Sequence, residues 1–138
     1  MSKVFVDTNL LAYQFDGSEP DKQKRARDVL GTTDHTLVIS TQVLLELFVV
    51  ITRKLSPPLP HQAAAQVVEG LSRLWVVSTD SRLVQRAVAT SSAHQLSIWD
   101  SLIVEAAADA GCDILWTEDL ATGSTIRGVT VVNPLQHD

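Results

Sequence analysis

Short β-rich runs alternate with longer helical patterns along the chain, and this alternation constrains the fold more than any other feature of the sequence. Residues 3–6, 37–39, 75–78, 113–117 and 129–132 read as strands, rich in Val, Ile and Trp. Some are apolar nearly throughout, as strands buried on both faces are. Helical stretches fall at about 8–15, 20–31, 41–55, 60–73, 81–93 and 98–110. Pro57-Pro58-Leu59-Pro60 marks a turn between two of these helices, and Gly111 is placed to end the last one. The pattern predicts an α/β fold with a central, mainly parallel sheet of about five strands, covered on both faces.

Length and composition narrow the class. At 138 residues the chain has the size of one domain, taken here as residues 1–138. Its hydrophobic content of 45% and charged content of 20% are those of a soluble globular protein. A lone cysteine, Cys112, excludes an internal disulfide framework and fits a reducing compartment. No apolar run approaches the roughly 20 residues of a membrane span. The N-terminal apolar run is broken by Asp7 and Asn9, unlike that of a signal peptide, so the expected location is the cytoplasm. The formal net charge of −5 is unusual for a domain that holds nucleic acid by unassisted phosphate contacts. Bound divalent cations would offset it locally. The one basic cluster, Lys22, Lys24, Arg25 and Arg27, reads as a solvated helix face.

Four acids lie in apolar surroundings. Asp7 follows Val4-Phe5-Val6, and Glu46 is embedded among Val43, Leu44, Leu45, Leu47, Phe48, Val49 and Val50. Asp100 lies in Ile98-Trp99-Asp100-Ser101-Leu102-Ile103, and Asp119 comes just after Ile114-Leu115-Trp116. A buried ionised carboxylate without a partner is strongly unfavourable. Of the 11 basic residues, only Lys3 is near one of the four in sequence. In open parallel sheets, ligands gather outside the carboxyl ends of the strands. Asp7 and Asp119 both fall where a predicted strand ends, and a shared divalent metal is the economical explanation of the set.

Each acid also has an ordinary structural reading. Asp7 can cap the helix that begins at Thr8, and a carboxylate with two oxygens can cap and ligate at once. The Glu46 helix is apolar nearly all round and therefore expected to be buried. Its neighbours one turn away, Gln42, Val43, Val49 and Val50, include no cation, and Arg53 is poorly placed for a pair, which favours ligation. Asp100 is at the third position of a Ser97 capping box. At about 100° per residue it points toward Ile103, Val104 and Ala107, while Glu105 and Asp109 project from the other side as solvent-facing acids. For Asp119, a simple loop acid is the alternative, and whether it or Glu118 turns inward stays open.

An all-carboxylate site suits hard, oxygen-seeking cations, chiefly Mg²⁺ or Mn²⁺. Zinc is disfavoured, because Cys112 is alone and His35, His61, His94 and His137 show no close ligand spacing. The chain has no G-x-S-x-G elbow and no phosphate-cradling glycine motif. What remains is metal-assisted phosphate chemistry.

These residues resemble those of the PIN-domain ribonucleases, particularly the VapC-like toxins of type II toxin–antitoxin systems. The resemblance spans essentially the whole chain. It is carried by Val4-Phe5-Val6-Asp7-Thr8-Asn9, by Glu46, by Ile98-Trp99-Asp100-Ser101-Leu102-Ile103 and by Leu115-Trp116-Thr117-Glu118-Asp119-Leu120 followed by Gly123. It implies a three-layer α/β/α domain and Mg²⁺- or Mn²⁺-dependent endonucleolytic hydrolysis of RNA, with water as nucleophile. Asp7, Glu46, Asp100 and Asp119 would be the catalytic metal ligands, directly or through water. Thr8, Asn9 and Thr117 would be supporting polar residues. The resemblance also selects Asp119 over Glu118, and implies a homodimer silenced by a cognate antitoxin protein.

Two other classes compete. Val-Phe-Val-Asp at a strand end also resembles aspartate-based phosphatases, but those carry Asp-x-Asp where this chain has Asp7-Thr8-Asn9. A receiver domain would want a lysine near the last strand, and the lysines are at 3, 22, 24 and 54. A non-catalytic RNA- or partner-binding module would keep the acids only as caps. Tyr13, Trp99 and the 22–27 segment are possible RNA contacts, with packing or solvation the expected role for each. Trp75 and Trp116, inside strand patterns, are expected in the core.

Overall fold

The computed structural model describes residues 2–32 and 34–136; Met1, Thr33, His137 and Asp138 lie outside the described residues. In chain order the elements are β1 (Ser2–Val6), α1 (Thr8–Tyr13), α2 (Pro20–Leu30), β2 (His35–Ser40), α3 (Thr41–Val49), α4 (His61–Leu71), β3 (Trp75–Val77), α5 (Ser81–His94), α6 (Ile98–Asp109), β4 (Ile114–Trp116), β5 (Thr125–Ile126) and β6 (Val129–Val132). A π-helical segment, Val50–Lys54, continues α3.

The strands form one sheet in the order β3-β2-β1-β4-β6-β5. All neighbouring pairs are parallel except β5 with β6. β1 is central, and the chain builds β2 and β3 on one side of it before crossing to β4 on the other. The order therefore reverses between β1 and β4, and the crevice outside their carboxyl ends is where such sheets bind ligands. Val4, Phe5 and Val6 are fully buried, as are Val38 and Ile39 of β2 and Leu115 of β4. At about 25 cal/mol per Å² of apolar surface removed from water, burial of this layer favours the fold.

α6 packs on β2, β4 and β6 with α5 beside it, while α1, α3 and α4 pack on one another, giving the three-layer α/β/α arrangement. Ser101 to Ala107 of α6 are all buried, because the helix is covered by the sheet and by α5. Gly111 follows α6 with a positive φ of 74°, a conformation glycine adopts without steric cost. No helix among the described residues is long and apolar enough to cross a membrane.

Several expectations need correction. The sheet has six strands, because Thr125–Ile126 pairs antiparallel with β6 through a two-residue turn, Arg127-Gly128, with both φ values positive. A two-residue strand closed by Arg-Gly gives almost no sequence signal. The helix expected over 41–55 leaves α geometry after Val49. It is not buried all round either: Leu45 is 71% and Val49 43% exposed. Trp75 lies on the edge strand and is 46% exposed, its ring covered on one face by Lys3, whereas Trp116 is in the core as expected. Trp99, expected either to pack or to be solvated, is exposed. Glu105, expected at the surface, is buried at 2% exposure, accepting hydrogen bonds from Thr90 Oγ1 at 2.8 Å and Arg127 Nε at 3.1 Å.

Candidate functional site

Asp7 leaves β1 at the point where the sheet order reverses. Its backbone N–H donates to Trp116 O at 3.0 Å, fastening the end of β1 to the end of β4. The side chain caps α1, accepting from Thr8 N at 2.7 Å, and its second oxygen accepts from Thr117 Oγ1 at 2.8 Å. Capping thus uses only one of the two carboxylate oxygens. Desolvation pushes the Asp7 carboxyl up from 3.8 to about 6, with Asp119 and Glu46 adding repulsion and the bonds from Thr117 and Thr8 pulling the other way.

Glu46 is half-buried on α3 and held from two sides. Thr8 Oγ1 donates to its Oε2 at 3.1 Å, and Gln42 Nε2 to its Oε1 at 2.8 Å. The same Gln42 amide reaches Trp99 O at 3.3 Å, so one buried residue ties α3 to the start of α6. Gln42 is a site residue the sequence reading passed over; its signal was an amide one turn before Glu46 on an otherwise apolar face. Asp100 is on the first turn of α6. Ser97 Oγ caps that turn by accepting from Asp100 N at 3.0 Å, and among the described residues the Asp100 carboxylate accepts no hydrogen bond. The capping box is therefore one-sided, and the carboxylate is left free.

Asp119 is on the loop after β4, where Thr117 Oγ1 accepts its backbone N–H at 3.1 Å. Burial and then the charges of Asp100 and Glu118 raise its carboxyl above the ordinary range, and the Asn9 amide opposes them. Neither polar atom of the Asn9 side chain has a partner in good hydrogen-bond geometry, although both are buried. Glu118 turns elsewhere, pairing with Lys22 at 3.3 Å and accepting from the Tyr13 hydroxyl. That contact and desolvation raise the Tyr13 phenol.

A cavity of about 600 Å³ opens here, lined by Asp7, Glu46, Asp119, Thr8 and Asn9 and walled by apolar side chains of α3 and the π segment. Three of the four expected acids thus line one cavity. Asp100 does not line it but is near enough to perturb Asp119. The basic 22–27 segment is not a free nucleic-acid patch. Besides the Lys22 pair, Arg25 Nε bonds Pro134 O at 2.8 Å and Arg27 bonds Gln14 O. Cys112 is buried, with its thiol pushed up to about 11 by desolvation, so it offers no thiolate at neutral pH.

The residues fit a divalent cation. All the donors are hard oxygens, Asp7 is buried without a cationic partner, and the Asn9 amide is orphaned at the cavity wall. Among the described residues no three His, Cys, Asp or Glu side chains stand close enough together, in the positions they occupy, to hold a metal ion between them. An ion such as Mg²⁺ keeps several waters and needs only one or two carboxylates directly.

Comparison with known proteins bears on the whole chain. A family model described as PIN domain matches residues 4–121. A toxin–antitoxin complex from Klebsiella pneumoniae is similar in structure, at 21% identity and a TM-score of 0.72, covering 95% of this chain and 97% of the other. The Mycobacterium tuberculosis toxin VapC20, described as cleaving the sarcin–ricin loop, matches at 20% identity and a TM-score of 0.68, covering 84% and 91%. A DNA-bound VapBC from Salmonella typhimurium matches at 24% identity and a TM-score of 0.63, covering 95% and 97%. No curated protein matches the chain in sequence.

Proposed function

The chain belongs to the PIN-domain family, and on that premise we propose that it is a metal-dependent endoribonuclease and the toxin of a toxin–antitoxin pair. The observation that carries the proposal is the meeting of Asp7, Glu46 and Asp119 in one cavity at the switch point of the sheet, with Asp100 beside them. No cation there neutralises Asp7.

Asp7, Glu46, Asp100 and Asp119 would hold Mg²⁺ or Mn²⁺, directly or through water. A divalent ion bound there supplies a nucleophile from water and neutralises charge on the leaving oxygen of an RNA phosphodiester. The protein's part is orientation. Thr8 and Gln42 fix both oxygens of Glu46, and Thr117 fixes one oxygen of Asp7 and the backbone of Asp119. With its rotamers already restricted, the site loses little freedom when substrate and ion arrive. Asn9, half-buried with both side-chain polar atoms unsatisfied, is available to bridge to the ion's water shell.

The toxin reading draws support from the similar structures, which include toxin–antitoxin complexes. A protein antitoxin and a homodimeric state belong to the same proposal, as does action in the cytoplasm. Expression of the chain alone should arrest growth of its host, with relief by the product of the adjacent gene. Normal growth at full expression of folded protein contradicts the toxin role and leaves the nuclease chemistry to be judged separately.

A further inference from the structure

Among the described residues, Lys54 is the one cation that lines the acid cavity. Among the described residues its ammonium forms no ion pair, and it is exposed to solvent. Three cations of α2 are committed to the protein itself, Lys22 to Glu118, Arg25 to Pro134 O and Arg27 to Gln14 O, while Arg53 is exposed and does not line the cavity. A solvent-facing lysine left unpaired beside a group of carboxylates calls for an explanation.

Its position follows from the change of helical pitch after Val49. At about 100° per residue, Lys54 would lie about 80° around the helix from Glu46. From Val50 to Lys54 the hydrogen bonding runs i→i+5, which widens the turn and reduces the rotation per residue. That moves Lys54 toward the Glu46 face, while Arg53, its neighbour, stays outside the cavity. The segment is pinned: Leu55 N–H donates to Val50 O at 3.2 Å, and Leu59 N–H to Ile51 O at 2.8 Å. Helical π turns recur at functional sites. Leu45, Val49, Val50 and Leu55 give the same cavity an apolar wall. The cavity thus combines carboxylates, one cation and an apolar surface.

That arrangement matches a nucleotide segment, with phosphate at the cation and base or sugar along the apolar wall. Resting on the ribonuclease reading, we infer that Lys54 is a substrate-binding residue that contacts a backbone phosphate of single-stranded RNA. In an otherwise acidic chain it supplies phosphate attraction where the substrate must lie. The contact is electrostatic and carries no base preference.

The test measures binding of a fluorescent single-stranded RNA by anisotropy, in an Asp7→Asn background that suppresses cleavage. Adding Lys54→Ala should weaken binding about tenfold and reduce the slope of log affinity against log salt by about one. Lys54→Arg should restore most of the affinity, and Lys24→Ala, on the solvent side of α2, should leave it unchanged. In the cleaving protein, Lys54→Ala should raise KM with kcat little altered. Unchanged affinity and salt slope in Lys54→Ala overturn the inference, as does failure of the parent protein to bind RNA. If RNA binds and Lys54→Ala weakens it but no metal restores cleavage, the phosphate contact stands and the nuclease reading fails.

Discussion

The Thr117 hydroxyl donates to Asp7 Oδ2 at 2.8 Å across 110 residues of sequence, and Thr117 Oγ1 in turn accepts the Asp119 backbone N–H at 3.1 Å. One fully buried hydroxyl therefore joins the ends of β1 and β4 and sets two of the four acids relative to each other. It also favours the ionised form of Asp7, the form a cation needs.

Thr117→Val keeps the shape and removes both bonds. Loss of a hydrogen bond to a charged group is worth about 1.5–3 kcal/mol, so RNA cleavage should fall roughly 10- to 100-fold. The Asp7 carboxyl should titrate still higher, moving the acid limb of the pH–rate profile to higher pH. A Thr117→Val protein with unaltered rate and profile would show that this hydroxyl does not organise the site.

Without divalent ions, ionised Asp7 works against folding. Its folded pKa of about 6 lies above the ordinary 3.8, so the native state holds the proton more tightly than the unfolded chain. Stability contributed by the protonated group is present below about pH 3.8 and is lost as pH rises to about 6. The deficit at neutral pH is about 3 kcal/mol. Asp7→Asn should therefore melt higher than the unaltered chain at pH 7 in chelator, with the difference vanishing near pH 3.5. Millimolar Mg²⁺ should raise the melting temperature of the unaltered chain and raise that of the Asn variant much less. Calorimetry showing Asp7→Asn less stable at neutral pH, or no shift with Mg²⁺ or Mn²⁺, would count against a strained acid awaiting an ion.

A second buried carboxylate makes the opposite prediction. Glu105 already has its partners, Thr90 and Arg127. Arg127→Ala leaves it buried and uncompensated and should cost about 2–3 kcal/mol, less than for a fully enclosed pair because Arg127 is half-exposed. Glu105→Gln keeps acceptor and shape and should cost less than about 1.5 kcal/mol. Urea titrations of the two variants give the order, and equal or reversed losses would refute it. Neither substitution should change RNA cleavage at temperatures where the protein is folded.

Most of the fold was readable because strand and helix periodicity are local. The five expected strands exist, and the helix starts at Thr8, Thr41 and Ile98 lie where Asp7, Ser40 and Ser97 cap them. Local pattern could not show which side of a buried helix lacks solvent. Glu105 and Asp109 lie on neighbouring directions of α6, yet α5 covers the first while the second faces Arg86 at the rim. For the same reason Trp75 looked like a core residue: its strand is β-rich, but the strand is at the sheet's edge. The acids of the candidate site were legible because a carboxylate in an apolar run is conspicuous. Gln42 and Lys54 were not, the first because amides are unremarkable, the second because nothing in Val50–Lys54 announces a π turn.

The most direct test is cleavage of a single-stranded RNA by the purified chain, in chelator and after adding back Mn²⁺ or Mg²⁺. The unaltered protein should be inactive in chelator and recover with either ion. Asp7→Asn, Glu46→Gln, Asp100→Asn and Asp119→Asn should each stay inactive or nearly so under both conditions, while remaining folded. Cleavage that persists in chelator, or full activity in the Asp7→Asn protein with metal, would contradict a metal-dependent nuclease built on these four acids.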